Sequence, residues 1–227
     1  MKARCVFCLL LLSGCTLPGQ PNPEDRPLRP SEVRDFGTLF QTHCAGCHGA
    51  NGELGPGPPL NDPLFLKIVP DEVLEHVIAD GRKGTLMPAF SSDNGGPLTP
   101  EQVTILAEGL KPHWSGPREV DKPPPYEDPT PGDPKAGREV FKLACAICHG
   151  DNGEGGASDK PIGAINDPAF LALMSDQVLR RYIITGRPDL RMPAFDSSDW
   201  RDPKFETLTS KQINDVVALL AEWRKTP

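Results

Sequence analysis

A chain of 227 residues with Lys+Arg 24 against Asp+Glu 31 has room for one large domain or two small ones. Its net charge of −7 excludes the basic footprint that nucleic-acid binding needs, and no apolar run reaches the ~20 residues of a membrane-spanning helix. Seven cysteines, an odd number, do not make a simple disulfide framework.

The N-terminus begins with Lys2 and Arg4, then the apolar run Val6–Leu12, then Leu12-Ser13-Gly14-Cys15. A basic start, a short apolar stretch and small residues before a cleavage point predict an export signal over residues 1–14. The LSGC quartet resembles the lipobox of bacterial lipoproteins. That resemblance implies lipidation of Cys15, removal of Cys5 and Cys8 with the signal, and a place in the bacterial cell envelope, lipid-anchored and facing the periplasm or exterior. More than one acyl chain would hold the protein firmly, since one alone binds only marginally. Residues 15–29 then form a Pro-rich tether.

The four remaining cysteines lie in Cys44–His48 (CAGCH) and Cys145–His149 (CAICH), and the sequence around them repeats. Asn61–Phe90 aligns with Asn166–Phe195 without gaps, with 15 of 30 positions identical, including NDP, FL, GR and MPAF. Two copies of one domain are predicted, at residues 30–114 and 133–227. Residues 115–132 join them through Pro123-Pro124-Pro125, which predicts a semi-rigid, extended linker and leaves open whether the copies pack or stand apart.

Each copy has the same predicted elements. A helix leads into the cysteine motif: Val33, Phe36 and Phe40 fall at helical spacing in the first copy, and Asp133 precedes Pro134 as a cap in the second. A middle helix covers about Glu72–Ala79 and Gln177–Thr185, each stopping at a glycine, Gly81 or Gly186. A last helix begins at Thr99 with Gln102 as a capping box and buries Val103, Leu106 and Leu110. Its counterpart begins at Thr209 and buries Ile213, Val217 and Leu220. No segment alternates like a strand, so the fold class is all-α.

Cys-x-x-Cys-His is the attachment signal of c-type haem: two thiols bond the porphyrin and the adjacent imidazole ligates iron. The spacing matters because both bonds and the histidine must meet one planar molecule. A redox dithiol would sit near a βαβ pattern, which is absent. A zinc ribbon would space its two CxxC pairs about 15–20 residues apart, whereas these motifs are 101 apart. Two covalently attached haem c groups are therefore expected, on Cys44, Cys47 and His48 and on Cys145, Cys148 and His149.

Both copies resemble class I cytochrome c domains, particularly the type found with cbb-type oxidases. The matching blocks are CAGCHGANGE and CAICHGDNGE, then GR and MPAF, then the last LT-x-x-Q helix, and together the copies cover about 80% of the chain. The resemblance implies that Met87 and Met192 are the sixth iron ligands. The family's Gly-Pro-x-Leu, which orients the ligand histidine, matches Gly57-Pro58-Pro59-Leu60; in the second copy Gly163 stands at the Pro58 position, which puts the hydrogen bonding behind His149 in doubt. Gly137 matches a family glycine at a close helix crossing, and Phe36 replaces it in the first copy, predicting a looser crossing there. Arg82 and Arg187 are candidates for haem propionates or for exposed surface. His43, His76 and His113 read as surface or packing residues, and Trp114 and Trp223 as packing residues.

His/Met ligation fills all six iron positions and raises the potential. The expected function is that of a dihaem electron carrier or electron-transfer subunit, with no catalytic residues. Its donor would be a quinol-oxidising complex or a dehydrogenase, its acceptor a terminal oxidase, in a respiratory or photosynthetic chain. The alternative is a catalytic dihaem cytochrome of peroxidase or thiosulfate-oxidising type. Residues 30–115 carry 5 Lys/Arg and 11 Asp/Glu, while 133–227 carry 13 and 14, so the more acidic copy would suit a basic partner.

Overall fold

The computed structural model describes residues 22, 26–156, 162–199 and 201–225. The export signal and Cys15 lie outside the described residues. The described residues hold α-helices and short 3-10 turns, with two isolated bridges and no strand.

In the first domain the helices are α1 (Phe36–His43), α2 (Ala45–His48), α3 (Pro63–Ile68), α4 (Asp71–Asp80) and α5 (Pro100–Trp114). The second domain repeats them as α6 (Pro134–Ala144), α7 (Ala146–His149), α8 (Pro168–Ala172), α9 (Asp176–Thr185) and α10 (Ser210–Lys225). The helices begin where side chains satisfy the free N–H groups of their first turns. Asp35 accepts from the Thr38 N–H at 2.8 Å, and Asp133 accepts from Lys135 at 2.9 Å with Pro134 at the first helical position. Thr99 and Gln102 form the expected capping box, as do Thr209 and Gln212.

The repeated NDP has the same role twice over. Asp62 accepts from Phe65 N–H at 2.7 Å and Asp167 from Phe170 N–H at 2.8 Å, each with proline next, so each NDP starts a short helix. These two helices, α3 and α8, are additions to the predicted elements. Val33 corrects the predicted first helix. It is extended at φ −67° and ψ 128°, outside α1, and its carbonyl accepts from the buried Gln102 amide at 3.1 Å.

The core of each domain forms where the helix of the cysteine motif crosses the last helix. In the second domain Gly137 makes the close approach to α10: a Cβ there would lie 2.1 Å from the Asp215 carbonyl oxygen. The expectation that Phe36 loosens the first-domain crossing needs correction. The glycine has moved to the partner helix, at Gly109, where a Cβ would lie 2.2 Å from the Phe36 ring. Ring and notch have exchanged helices. Phe36 also stacks on Phe40 (5.8 Å), His113 (4.9 Å) and the edge of Trp114 (5.9 Å). Phe40 and Trp114 meet at 4.8 Å, as Phe141 and Trp223 do at 5.2 Å. Edge-to-face pairs of this kind add to the area they bury. Both tryptophans and His113 are thus packing residues, while His76 is exposed beside Asp80.

Residues 115–132 carry no regular structure, but they are no free spacer. Tyr126 is 3% exposed and joins the first-domain core beside Phe65, at 6.0 Å between ring centroids. Its hydroxyl accepts from Arg82 at 3.0 Å, and its carbonyl accepts from Gln177 at 2.7 Å and Arg180 at 3.2 Å. Arg180 also donates to Pro125 O, Ser210 Oγ and Asn214 Oδ1 at 2.8, 2.7 and 2.6 Å. The linker is a strap held by both domains, and the domains pack, with α3 of the first against α9 of the second.

Candidate functional site

Each cysteine motif is one helical turn. Cys44 precedes α2 and Cys145 precedes α7; His48 and His149 end those helices. The His48 and His149 N–H groups donate to Cys44 O and Cys145 O at 2.9 and 3.0 Å. Residues three and four apart in a helix share a face, so the two thiols and the imidazole of each motif are offered to one side. None of the four cysteines is in a disulfide. Burial, helped by the neighbouring Cys47, pushes the Cys44 thiol up to about 12. Burial also takes Cys145 up to about 12, against the opposing pull of Arg201.

The loop behind the first motif fixes its histidine. His48 Nδ1 lies 2.8 Å from the Pro58 carbonyl oxygen. A carbonyl only accepts, so Nδ1 carries the proton and Nε2 keeps its lone pair for a metal. Gly57 lets the loop approach: a Cβ there would lie 3.0 Å from the imidazole. Burial lowers the His48 pKa, Pro58 opposes this, and Arg181 lowers it further. In the second domain burial likewise lowers His149. Its Nδ1 is buried with no hydrogen-bond partner among the described residues. Gly163 stands in this domain where Pro58 stands in the first, and Pro161 lies outside the described residues.

The methionines sit on loops closed by their own backbone. Arg82 N–H donates to Met87 O at 2.9 Å and Met87 N–H to Thr85 Oγ1 at 3.2 Å. Arg187 and Met192 exchange two backbone hydrogen bonds at 3.0 Å. Gly81 and Gly186 make both loops possible. Their φ values, 70° and 71°, are left-handed, and a Cβ would lie 2.6 and 2.4 Å from the Met87 and Met192 carbonyl oxygens. Phe90 N–H then donates to Ile78 O at 3.1 Å and Phe195 N–H to Ile184 O at 3.2 Å, tying MPAF to the middle helix. Cys44, Leu60 and Phe90 border one apolar cluster; Cys145 borders the other, to which the buried Phe195 belongs. Cysteine motif and methionine loop thus flank the same core in each domain.

Neither candidate propionate arginine is free surface. Arg82 donates to Tyr126, and Arg187 makes a two-pronged pair with Asp189 at 2.9 and 2.6 Å. Two further arginines were not singled out in the sequence. Arg201 donates to the Ser197 carbonyl at 2.7 Å, and to Pro193 and Phe195 at 3.4 Å, bracing the segment after Met192. Arg181 is buried between the domains. Both belong to segments whose role depends on what they pack against, which no local motif announces.

In each domain two thiols, an imidazole and a loop-borne thioether make a donor set that fits a c-type haem, and in the first the Pro58 carbonyl leaves His48 Nε2 free for it. His43 and His76 join neither set, and no group of three His, Cys, Asp or Glu among the described residues could hold a separate metal ion.

Comparison with known proteins agrees. The family described as cytochrome c oxidase, cbb3-type, subunit III matches twice, over residues 31–108 and 132–220. The chain is 31% identical over 185 residues to the cbb3-type cytochrome c oxidase subunit FixPc of Rhizobium leguminosarum bv. viciae, covering 75% of this chain and 57% of that one. It is 27% identical over 191 residues to the cytochrome bc1 complex cytochrome c subunit of Mycobacterium bovis, covering 82% and 63%. It therefore spans less than two thirds of the length of these relatives. A solved reducing HAO-like protein complex of Kuenenia stuttgartiensis aligns at TM-score 0.44 and 17% identity, covering 87% of this chain and 99% of that one, a likeness too slight to bear on function.

Proposed function

The chain belongs to the cbb3-type cytochrome c oxidase subunit III family, and from that membership we propose that it is a dihaem electron carrier with one covalent haem c in each domain. Cys44, Cys47, His48 and Met87 would hold the first haem; Cys145, Cys148, His149 and Met192 would hold the second. A haem so held supplies an iron that takes up and releases one electron. The protein's own task is to close the site. The observation that carries this reading is the double occurrence of a CxxCH turn that offers two thiols and an imidazole to one side, in a fold that also presents a loop methionine. Pro58 holds the His48 ring with Nε2 free, and the Gly81 and Gly186 turns fix the methionine loops, so little rearrangement accompanies a change of iron charge.

Relatives named as a cbb3-type oxidase subunit and as a bc1-complex subunit support redox complexes as partners. We assign a quinol-oxidising complex or dehydrogenase as donor and a terminal oxidase as acceptor. Lipid on Cys15 would keep the carrier at the membrane, facing the periplasm or exterior. No described helix is long and apolar enough to cross a membrane.

The test is mass measurement with a carbon monoxide titration of the reduced protein. Two haems per chain, a lipid-sized mass increment on Cys15 and no carbon monoxide adduct are expected. Ready uptake at either iron would reject the carrier reading, because it requires a vacant position.

A further inference from the structure

Arg181 has no place in the function as derived so far, yet it is a buried cation held at the boundary between the domains. It lies on α9 of the second domain and is 5% exposed. Its guanidinium donates to the carbonyl of Pro59 in the first domain and lies over the Phe65 ring at 3.4 Å from the centroid. Its Nε is buried with no acceptor, and no carboxylate among the described residues is within ion-pair distance of it. A buried charge with no carboxylate in contact is costly to fold, and Asp62 attracts this one only from beyond ion-pair distance. Burial accordingly lowers its pKa to about 10, so it stays a cation at neutral pH.

What it touches gives that cost a purpose. Pro59 follows Pro58, whose carbonyl holds the His48 ring. The second domain thus places a fixed positive charge on the carbonyl next to the one that holds His48. A second cation, Arg82, shares this boundary and donates to the Tyr126 hydroxyl. The arrangement is one-sided. The residue aligned with Arg181 in the first domain is His76, on an exposed stretch of α4, so no equivalent charge reaches the second domain's histidine that way.

We propose that Arg181 is a positioning residue through which the docked second domain raises the reduction potential of the haem in the first. The inference rests on the dihaem reading above. Ferric haem carries one more positive charge than ferrous haem, so a nearby buried cation in low dielectric disfavours the oxidised form. The Pro59 hydrogen bond and the Phe65 ring fix its distance. Docking of the domains and the driving force for electron transfer through the first haem become linked quantities.

The experiment is a redox titration of the full-length, haem-loaded protein. Met87→His, which replaces sulfur by a second nitrogen and lowers its own haem's potential, marks the first-domain wave. Arg181→Met removes the charge and keeps much of the volume. It should make the first-domain haem about tenfold harder to reduce, a fall of about 59 mV for one electron, and leave the second wave in place. Arg181→Lys, which keeps the charge, should recover most of the fall. Phe65→Ala loosens the seat without removing the charge and should shift the wave much less. An unmoved first-domain wave in Arg181→Met would overturn the proposal. So would an equal fall in the Met, Lys and Phe65→Ala variants, which would make Arg181 a packing residue only. If Arg181→Met does not accumulate, Arg181→Gln takes its place in the same comparison. Absence of haem from the parent protein is a separate result, seen in its spectrum before any titration, and would overturn the dihaem reading itself.

Discussion

Replacing Gly137 with alanine sets two opposing effects against each other. In an exposed helix the change would favour folding by about 0.8–1.0 kcal/mol. Here the added Cβ would lie 2.1 Å from the Asp215 carbonyl oxygen and 2.5 Å from its carbon. Both obstacles are backbone, on a helix whose Ile213, Val216 and Leu219 are no more than 1% exposed. With α10 held on its far side, α6 must retreat by roughly 1 Å, enough to forfeit a quarter to a half of each van der Waals contact made across the gap. Overpacking of this kind costs about 1–3 kcal/mol, and a rigid obstacle places it at the upper end. The clash therefore outweighs helix propensity, for a net loss of about 1–2 kcal/mol, or roughly 4–16 °C in the second domain's melting midpoint. Calorimetry of the haem-loaded protein measures this, with Gly37→Ala as the control. There the nearest atom to a Cβ is Asp35 Oδ1, at 3.4 Å, and the substitution should be neutral or stabilising. A Gly137→Ala protein melting at or above its parent would refute the reasoning.

Three more outcomes are expected. Arg180→Met removes the guanidinium that gathers Tyr126 O, Pro125 O and Asn214 Oδ1; stranding these acceptors should cost about 2–4 kcal/mol and speed proteolytic cleavage within residues 115–132, so an unchanged cleavage rate would count against the strap. Changing Cys44, Cys47, Cys145 and Cys148 together to alanine should abolish haem attachment and most of the helical circular dichroism, because domains this small need a staple; a native-like spectrum would show that the helices pack without the haem. Asp128 is held at about 2, below its ordinary value of 3.8, by Ser210 and then Thr130. Its folded value is the lower one, so the stability it contributes is complete above roughly pH 4 and is lost as pH falls towards 2. Asp128→Asn should remove that part of the acid sensitivity, read as melting midpoint against pH.

The parts of this structure legible in the sequence are those governed by residues close together in the chain. The CxxCH turns, the Thr99 and Thr209 capping boxes and the Gly81 and Gly186 stops are all local. So was the missed start of α3: Asp62-Pro63 is a cap followed by a first-turn proline, but six residues are too few to show helical periodicity. Val33 misled for the opposite reason, since its spacing imitates a helix while Gln102, far along the chain, holds its carbonyl. The exchange of Phe36 for Gly109 is invisible until both helices are placed. Arg181 in sequence is one more charge on an amphipathic helix, and only the docking of the domains reveals that its partner is the carbonyl of Pro59.

Tyr126 gives the division between the halves an unexpected character. Its ring is rooted in one core while its main chain is grasped by the other. A cut at the proline run Pro123-Pro124-Pro125, the natural place to separate two repeats, would tear a plug from the first half and lay Phe65 bare. The duplication is written in the chain as two interchangeable units, but the folded molecule is no longer divisible along that line, and its two halves can change only as a matched pair.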